Sequence, residues 1–129
     1  MSHMAYRLFR AVGCIAALLT FTTESAMANS LLLMSPAQLA GSWTFYLQGD
    51  AKEACKVQLI AEHKTFSAQV KCLKTWLGEV PKSWSPTPDG LFLMGEDGTA
   101  LVHMNRIEPG HYEAKIKPET VLVMVRGNH

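Results

Sequence analysis

From Gly41 onward, apolar residues recur at every second position. In GSWTFYL the residues Trp43, Phe45 and Leu47 fall on one face, in CKVQLI Cys55, Val57 and Leu59 do, and in FSAQVKC Phe66, Ala68, Val70 and Cys72 do. A period of two is that of a half-buried strand, in which successive side chains point to opposite faces of the sheet. The second half continues in the same way: GLFLM, the turn GEDG, TALVHMNRI, the turn EPG, HYEAKI and TVLVMVR. With a strand near Trp84, the pattern predicts about eight short antiparallel strands. Two segments break the alternation. In SPAQLAG, Ser35 can cap a single helical turn with Pro36 at its first position, and LKTWLG reads as a helical turn ended by Gly78.

A chain of this kind must hide the edges of its sheet, and an up-and-down barrel does so by closing on itself. The expected fold is therefore all-β: a compact eight-stranded antiparallel up-and-down barrel, lipocalin-like, with a two-sheet sandwich as the other solution. Trp43 is expected in the core, because an eight-stranded barrel is nearly filled by its own side chains. Trp76 and Trp84 are expected to pack over a barrel end or loop.

The segment ahead of the strands has a different pattern. Arg7 and Arg10 precede the apolar run from Ala11 to Phe21, and Ala26-Met27-Ala28 places small residues at the positions a signal peptidase reads. The run is shorter than the roughly 20 residues a membrane-spanning helix requires. Residues 1–28 are thus expected to be a cleaved export signal, with Met1-Ser2-His3-Met4 readable as an added start. A lipoprotein reading rests on Cys14 alone, which lies inside the apolar run rather than after it. Cleavage after Ala28 divides the rest into an N-terminal trunk, 29–34, and a barrel domain, 35–129.

Processing changes the charge balance. Of twelve basic and eleven acidic residues, the signal holds Arg7, Arg10 and Glu24, leaving ten of each. A near-neutral chain has no basic field for nucleic acid or for an acidic membrane surface. Export also leaves two cysteines, Cys55 and Cys72, in an oxidising compartment, where an even pair in a small domain is read first as a disulfide. The loop of 17 residues would contribute roughly 3 kcal/mol in the chain-entropy picture. Both cysteines fall on the apolar side of an expected strand, so the bridge is expected to be buried and to pin two strands together. A redox or metal pair is the competing reading, without a CxxC spacing or neighbouring ligands to support it.

The chemistry-bearing residues do not converge. His63, His103, His111 and His129 form no HExxH or similar spacing, and no GxSxG is present. His103 and His111 flank an expected turn and could face each other across a hairpin, but satisfied surface or edge histidines are the preferred reading. An enzyme is not expected, and no cofactor is implied.

Three pieces in the order SPAQLAGSW, CLKTWL and WSPTPDGL, with Cys55 upstream, resemble the bacterial periplasmic inhibitors of serralysin-type zinc metalloproteases, also called alkaline protease inhibitors. The resemblance runs over most of the chain after Ala28, and its most specific piece is the run from Trp84 to Gly90. It implies a barrel with one disulfide and a protruding trunk that enters the active-site cleft of a secreted protease, where the α-amino group of the first residue binds the catalytic zinc. Carried onto this chain, the protease-binding residues are Asn29, Ser30, Leu31, Leu32 and Leu33. The only metal contact is from the Asn29 amine to the zinc of the target. Family members usually begin Ser-Ser-Leu, so Asn29 departs from the pattern, though not in the backbone amine. Gly78 stands where members often have proline, which implies a looser loop. The resemblance further implies a periplasmic location, and a monomer is the default state. The alternative is a small barrel binding apolar ligands, for which Gly41-Ser42-Trp43 is the one supporting feature. A second is an envelope domain tethered through Cys14.

Overall fold

A computed structural model describes residues 33–127. After a single helical turn, α1 (Pro36–Leu39), the chain makes the strands β1 (Gly41–Leu47), β2 (Asp50–Ile60) and β3 (Thr65–Phe66). A 3-10 segment, Ala68–Leu73, and a second short helix, α2 (Lys74–Leu77), follow. The strands β4 (Ser83–Thr87), β5 (Gly90–Met94), β6 (Ala100–Glu108), β7 (His111–Lys117) and β8 (Thr120–Arg126) complete it.

All eight strands belong to one sheet in the order β3-β2-β1-β8-β7-β6-β5-β4. Each strand pairs antiparallel with a sequence neighbour, and β1 also pairs with β8, so the meander curls into the expected up-and-down barrel. A seam remains between β3 and β4, and side chains bridge it. The Trp84 indole N–H donates to the Thr65 carbonyl at 2.8 Å, and the 3-10 segment that follows β3 packs on β2 with Val70 and Leu73 buried.

Trp43, Phe45, Val57 and Leu59, which the alternation marks, are all buried. Trp43, Phe45, Val57, Leu59, Trp84, Leu91, Leu93, Met104, Tyr112, Leu122 and Met124 form one buried cluster that occupies the barrel interior. Trp84 is thus a core residue, not a lid over a loop, because β4 carries it inward opposite Leu93. Trp76 does pack on the cluster from outside the sheet, on α2, and is half-buried.

The run FSAQVKC corrects the sequence expectation. Only Thr65–Phe66 is strand. Beyond it the chain follows a spacing of three, burying Val70 and Leu73 and exposing Ala68 and Cys72, which is the repeat of a 3-10 turn. Both periods fit a run this short, and the seam decides between them. The Cys55–Cys72 disulfide is present, with Cα atoms 5.8 Å apart. It ties β2 to the 3-10 segment rather than strand to strand, and only its Cys55 end is buried.

Local chemistry explains the specific run from Trp84 to Gly90. Pro86 is tolerated because β4 is the last strand of the ladder and needs no donor on its free edge. The Thr87 hydroxyl donates to the Asp89 carboxylate at 3.0 Å and shapes the turn. Gly90 crosses β6 so closely that a Cβ there would lie 1.9 Å from the Met104 carbonyl oxygen. Gly78, at φ 87°, closes α2 by donating to the Lys74 carbonyl at 2.8 Å. Proline is confined to φ near −65°, so this is a defined helix cap and not a loosened loop.

Candidate functional site

The pairing registers bring the start of β1, the end of β8 and the turn between β6 and β7 to one end of the barrel. Here α1 joins the wall, with Leu33 and Met34 ahead of it. A helix of four residues cannot hold itself together, so its two ends are held from outside. At the first, the Ser35 hydroxyl accepts from the Gln38 N–H at 3.2 Å while the Gln38 carbonyl Oε1 accepts from the Ser35 N–H at 2.8 Å. This capping box, with Pro36 in the first turn, fixes the direction in which the chain approaches the barrel.

At the other end the last carbonyls of α1 meet Arg126 of β8. Its guanidinium donates to Ala40 at 2.7 Å, to Leu39 at 3.5 Å and to Gln38. The Trp43 indole N–H also donates to the Leu39 carbonyl, at 2.8 Å. A cation at a helix C-terminus is favourable and satisfies carbonyls that have no partner within the helix. The guanidinium lies 4.3 Å from the centroid of the Trp43 ring, in the arrangement that attracts a cation to an aromatic face. Trp43 in turn meets Tyr112 edge to face at 5.4 Å. Gly41 completes the clamp. Its φ of 119° suits glycine, and a Cβ there would press on the Arg126 Nη1 at 3.2 Å. The Gly41-Ser42-Trp43 run therefore serves to anchor α1.

The consequence is a fixed root for whatever precedes it. Leu39 is fully buried, Met34 packs against the core cluster, and Leu33 stands 53% exposed. Of the five trunk residues named from the sequence, Leu33 alone belongs to the described part. Asn29, Ser30, Leu31 and Leu32 lie outside the described residues, as do residues 1–28 with the expected signal, Cys14 included. Arg126 is the residue that sequence reasoning missed. It lies 86 to 88 positions from the carbonyls it holds, and a single arginine at the end of a strand carries no sign of such a partner.

The other polar groups are locally satisfied. His103 contacts the Thr87 hydroxyl at 2.8 Å, Asp89 at 3.3 Å and the Asn105 Oδ1 at 3.1 Å, and its ring lies against Phe92. His111 contacts Glu113 at 2.8 Å and Glu108 at 3.7 Å. The two histidines do not face each other: His111 stands opposite Glu108, and Asn105 opposite Glu113. The Thr87 hydroxyl holds the Asp89 carboxyl below its usual range, and the Thr99 hydroxyl and N–H do the same for Asp97. Burial pushes the Tyr112 phenol up. Among the described residues, no group of three or more His, Cys, Asp and Glu side chains is arranged to hold a metal.

Comparison with known proteins gives a consistent result. The family described as protease inhibitor Inh matches residues 33–126. The alkaline proteinase inhibitor of Pseudomonas syringae pv. tomato is 40% identical over 117 residues, covering 91% of this chain and 92% of that protein. The proteinase inhibitor of Pseudomonas aeruginosa is 35% identical over 101 residues, covering 74% and 76%. The crystal structure of a psychrophilic marine protease MP inhibitor superposes with a TM-score of 0.70 at 52% identity, covering 73% of this chain and all of that one.

Proposed function

The chain belongs to the Inh family of protease inhibitors, and from that premise we propose that it blocks a secreted serralysin-type zinc metalloprotease with its trunk. It is an inhibitor and not itself an enzyme. The observation that carries the reading is the clamp on α1. Arg126 and Trp43 hold the carbonyls of Gln38, Leu39 and Ala40, so the chain ahead of Ser35 starts from a rigid base with Leu33 exposed. A segment presented this way loses less conformational freedom on entering a cleft than a free tail would.

The chemistry at its tip follows from metal coordination. A catalytic zinc keeps one position for the water it activates, and a neutral amine is a good ligand for that position. Occupying it removes the nucleophile. The α-amino group of Asn29 suits this task better than a lysine, because its unperturbed pKa of about 8 lets it give up a proton near neutral pH. Ser30, Leu31, Leu32 and Leu33 would then lie along the cleft as an extended strand, with the leucines in substrate-side pockets. Cleavage after Ala28 in the periplasm would expose the amine, and the released protein would act as a monomer.

The test is inhibition of a purified serralysin-type zinc protease by two forms, one beginning at Asn29 and one carrying a single extra residue. The Asn29 form is expected to bind at least about a hundredfold tighter, equivalent to ~2.7 kcal/mol, with identical melting temperatures. Equal potency would remove zinc ligation from the mechanism.

A further inference from the structure

Ile107 and Leu33, 54% and 53% exposed, are the most solvent-exposed large apolar residues in the described chain. An isolated surface isoleucine is ordinary, but Ile107 has an internal control. The β7–β8 hairpin carries the same register shift, between Lys115 and Lys117, as the β6–β7 hairpin does between Arg106 and Glu108. Each shift sets an isoleucine just before a two-residue turn. Ile116 packs against the core cluster, at the barrel end that α2 covers with Trp76 and Leu77. Ile107, at the opposite end, has no such cover.

That opposite end is the one where α1 leads into β1. The Arg126 N–H donates to the Gly110 carbonyl at 2.8 Å, while its guanidinium grips the carbonyls of α1. The β6–β7 turn, Arg126 and the root of the trunk are therefore joined in one strip of surface. Glu108, beside Ile107, is exposed and lies 3.7 Å from His111.

We propose that the tip of the β6–β7 hairpin is a second docking point for the target protease, with Ile107 seated in an apolar depression on the lip of the cleft that the trunk enters. This rests on the reading of the trunk as the inhibitory segment. The hairpin shares a barrel end with α1, which Leu33 and Met34 precede, so a protease that grips the segment ahead of Ser35 brings its cleft rim toward this hairpin. A bulge of this kind turns a side chain out of the regular ladder, and an apolar side chain covered on association slows dissociation more than it speeds encounter.

The experiment uses the chain beginning at Asn29, with Ile107→Asp and Ile107→Val, against the same zinc protease. Ile107→Asp is expected to raise the inhibition constant at least tenfold through faster dissociation, with no loss of melting temperature, and Ile107→Val to stay close to the parent. Amide exchange over residues 106–112 is expected to slow when the complex forms. An inhibition constant unchanged by Ile107→Asp, or exchange unchanged in the complex, overturns the proposal and leaves the trunk mechanism standing. If the parent chain sediments as a dimer that Ile107→Asp dissociates, the hairpin binds a second copy and the proposal fails. Absence of inhibition by the parent chain itself overturns the trunk reading and this one with it.

Discussion

Arg126 does three things with one side chain: it donates to the carbonyls that end α1, lies over Trp43, and through its backbone holds the β6–β7 turn. Lysine in its place keeps the charge but not the planar fork. Arg126→Lys is expected to cost about 1–2 kcal/mol of stability, from the hydrogen bonds a charged donor makes. It should also raise the inhibition constant at temperatures where the variant is fully folded, because the root of the trunk is freed. Thermal melting paired with inhibition assays checks both, and an unchanged inhibition constant would mean that the clamp serves only the fold. A different residue-scale effect concerns acid. Asp97, like Asp89, has its carboxyl held below its ordinary range in the folded chain. Such a group stabilises the fold above its unfolded pKa of about 3.9 and loses that contribution as pH falls through the lower folded value. Stability should therefore decline below about pH 4, and melting curves of Asp97→Asn should show a shallower decline there than the parent.

At the scale of elements, the most informative one is the crossing from β3 to β4. The strand alternation predicts strands such as β1 and β2 because each buries one face and exposes the other. It fails over Ala68–Leu73, where the chain has to cross a seam and bury Val70 and Leu73 together. The disulfide fastens this crossing to β2. Replacing both cysteines by serine is expected to remove about 3 kcal/mol, the loop-closure contribution, and to lower the melting temperature by ~12–24 °C for a domain of this size. The loss should be local in its first effect, with amide exchange rising in residues 67–77 ahead of the rest of the sheet. Uniform exchange across the barrel would show that the seam is not the weak element.

For the whole molecule, the barrel is a rigid support at one end and a capped wall at the other, and inhibition should carry the titration of the group at the trunk's tip. On the proposed mechanism the Asn29 amine must be neutral in the complex, whereas the free amine is protonated below about pH 8. The complex therefore binds fewer protons than the separate partners. Affinity is expected to rise by up to about tenfold per pH unit toward pH 8 and then level off. Acetylating the amine should abolish both the inhibition and this slope, and a pH-independent inhibition constant would argue against the amine as ligand. Much of this protein was determined by sequence alone. Alternation marks the strands and most of the core, since burial of one sheet face imposes a period of two. Ser35, Pro36 and Gly78 mark two helix ends, and the pairing of Cys55 with Cys72 is expected from their being the two cysteines beyond the expected signal. Only the tertiary structure decided the rest. It chose the period of three at the seam, put Trp84 in the core, and brought Arg126 to the root of the trunk. Those outcomes depend on contacts between residues far apart in the chain, which local periodicity cannot register.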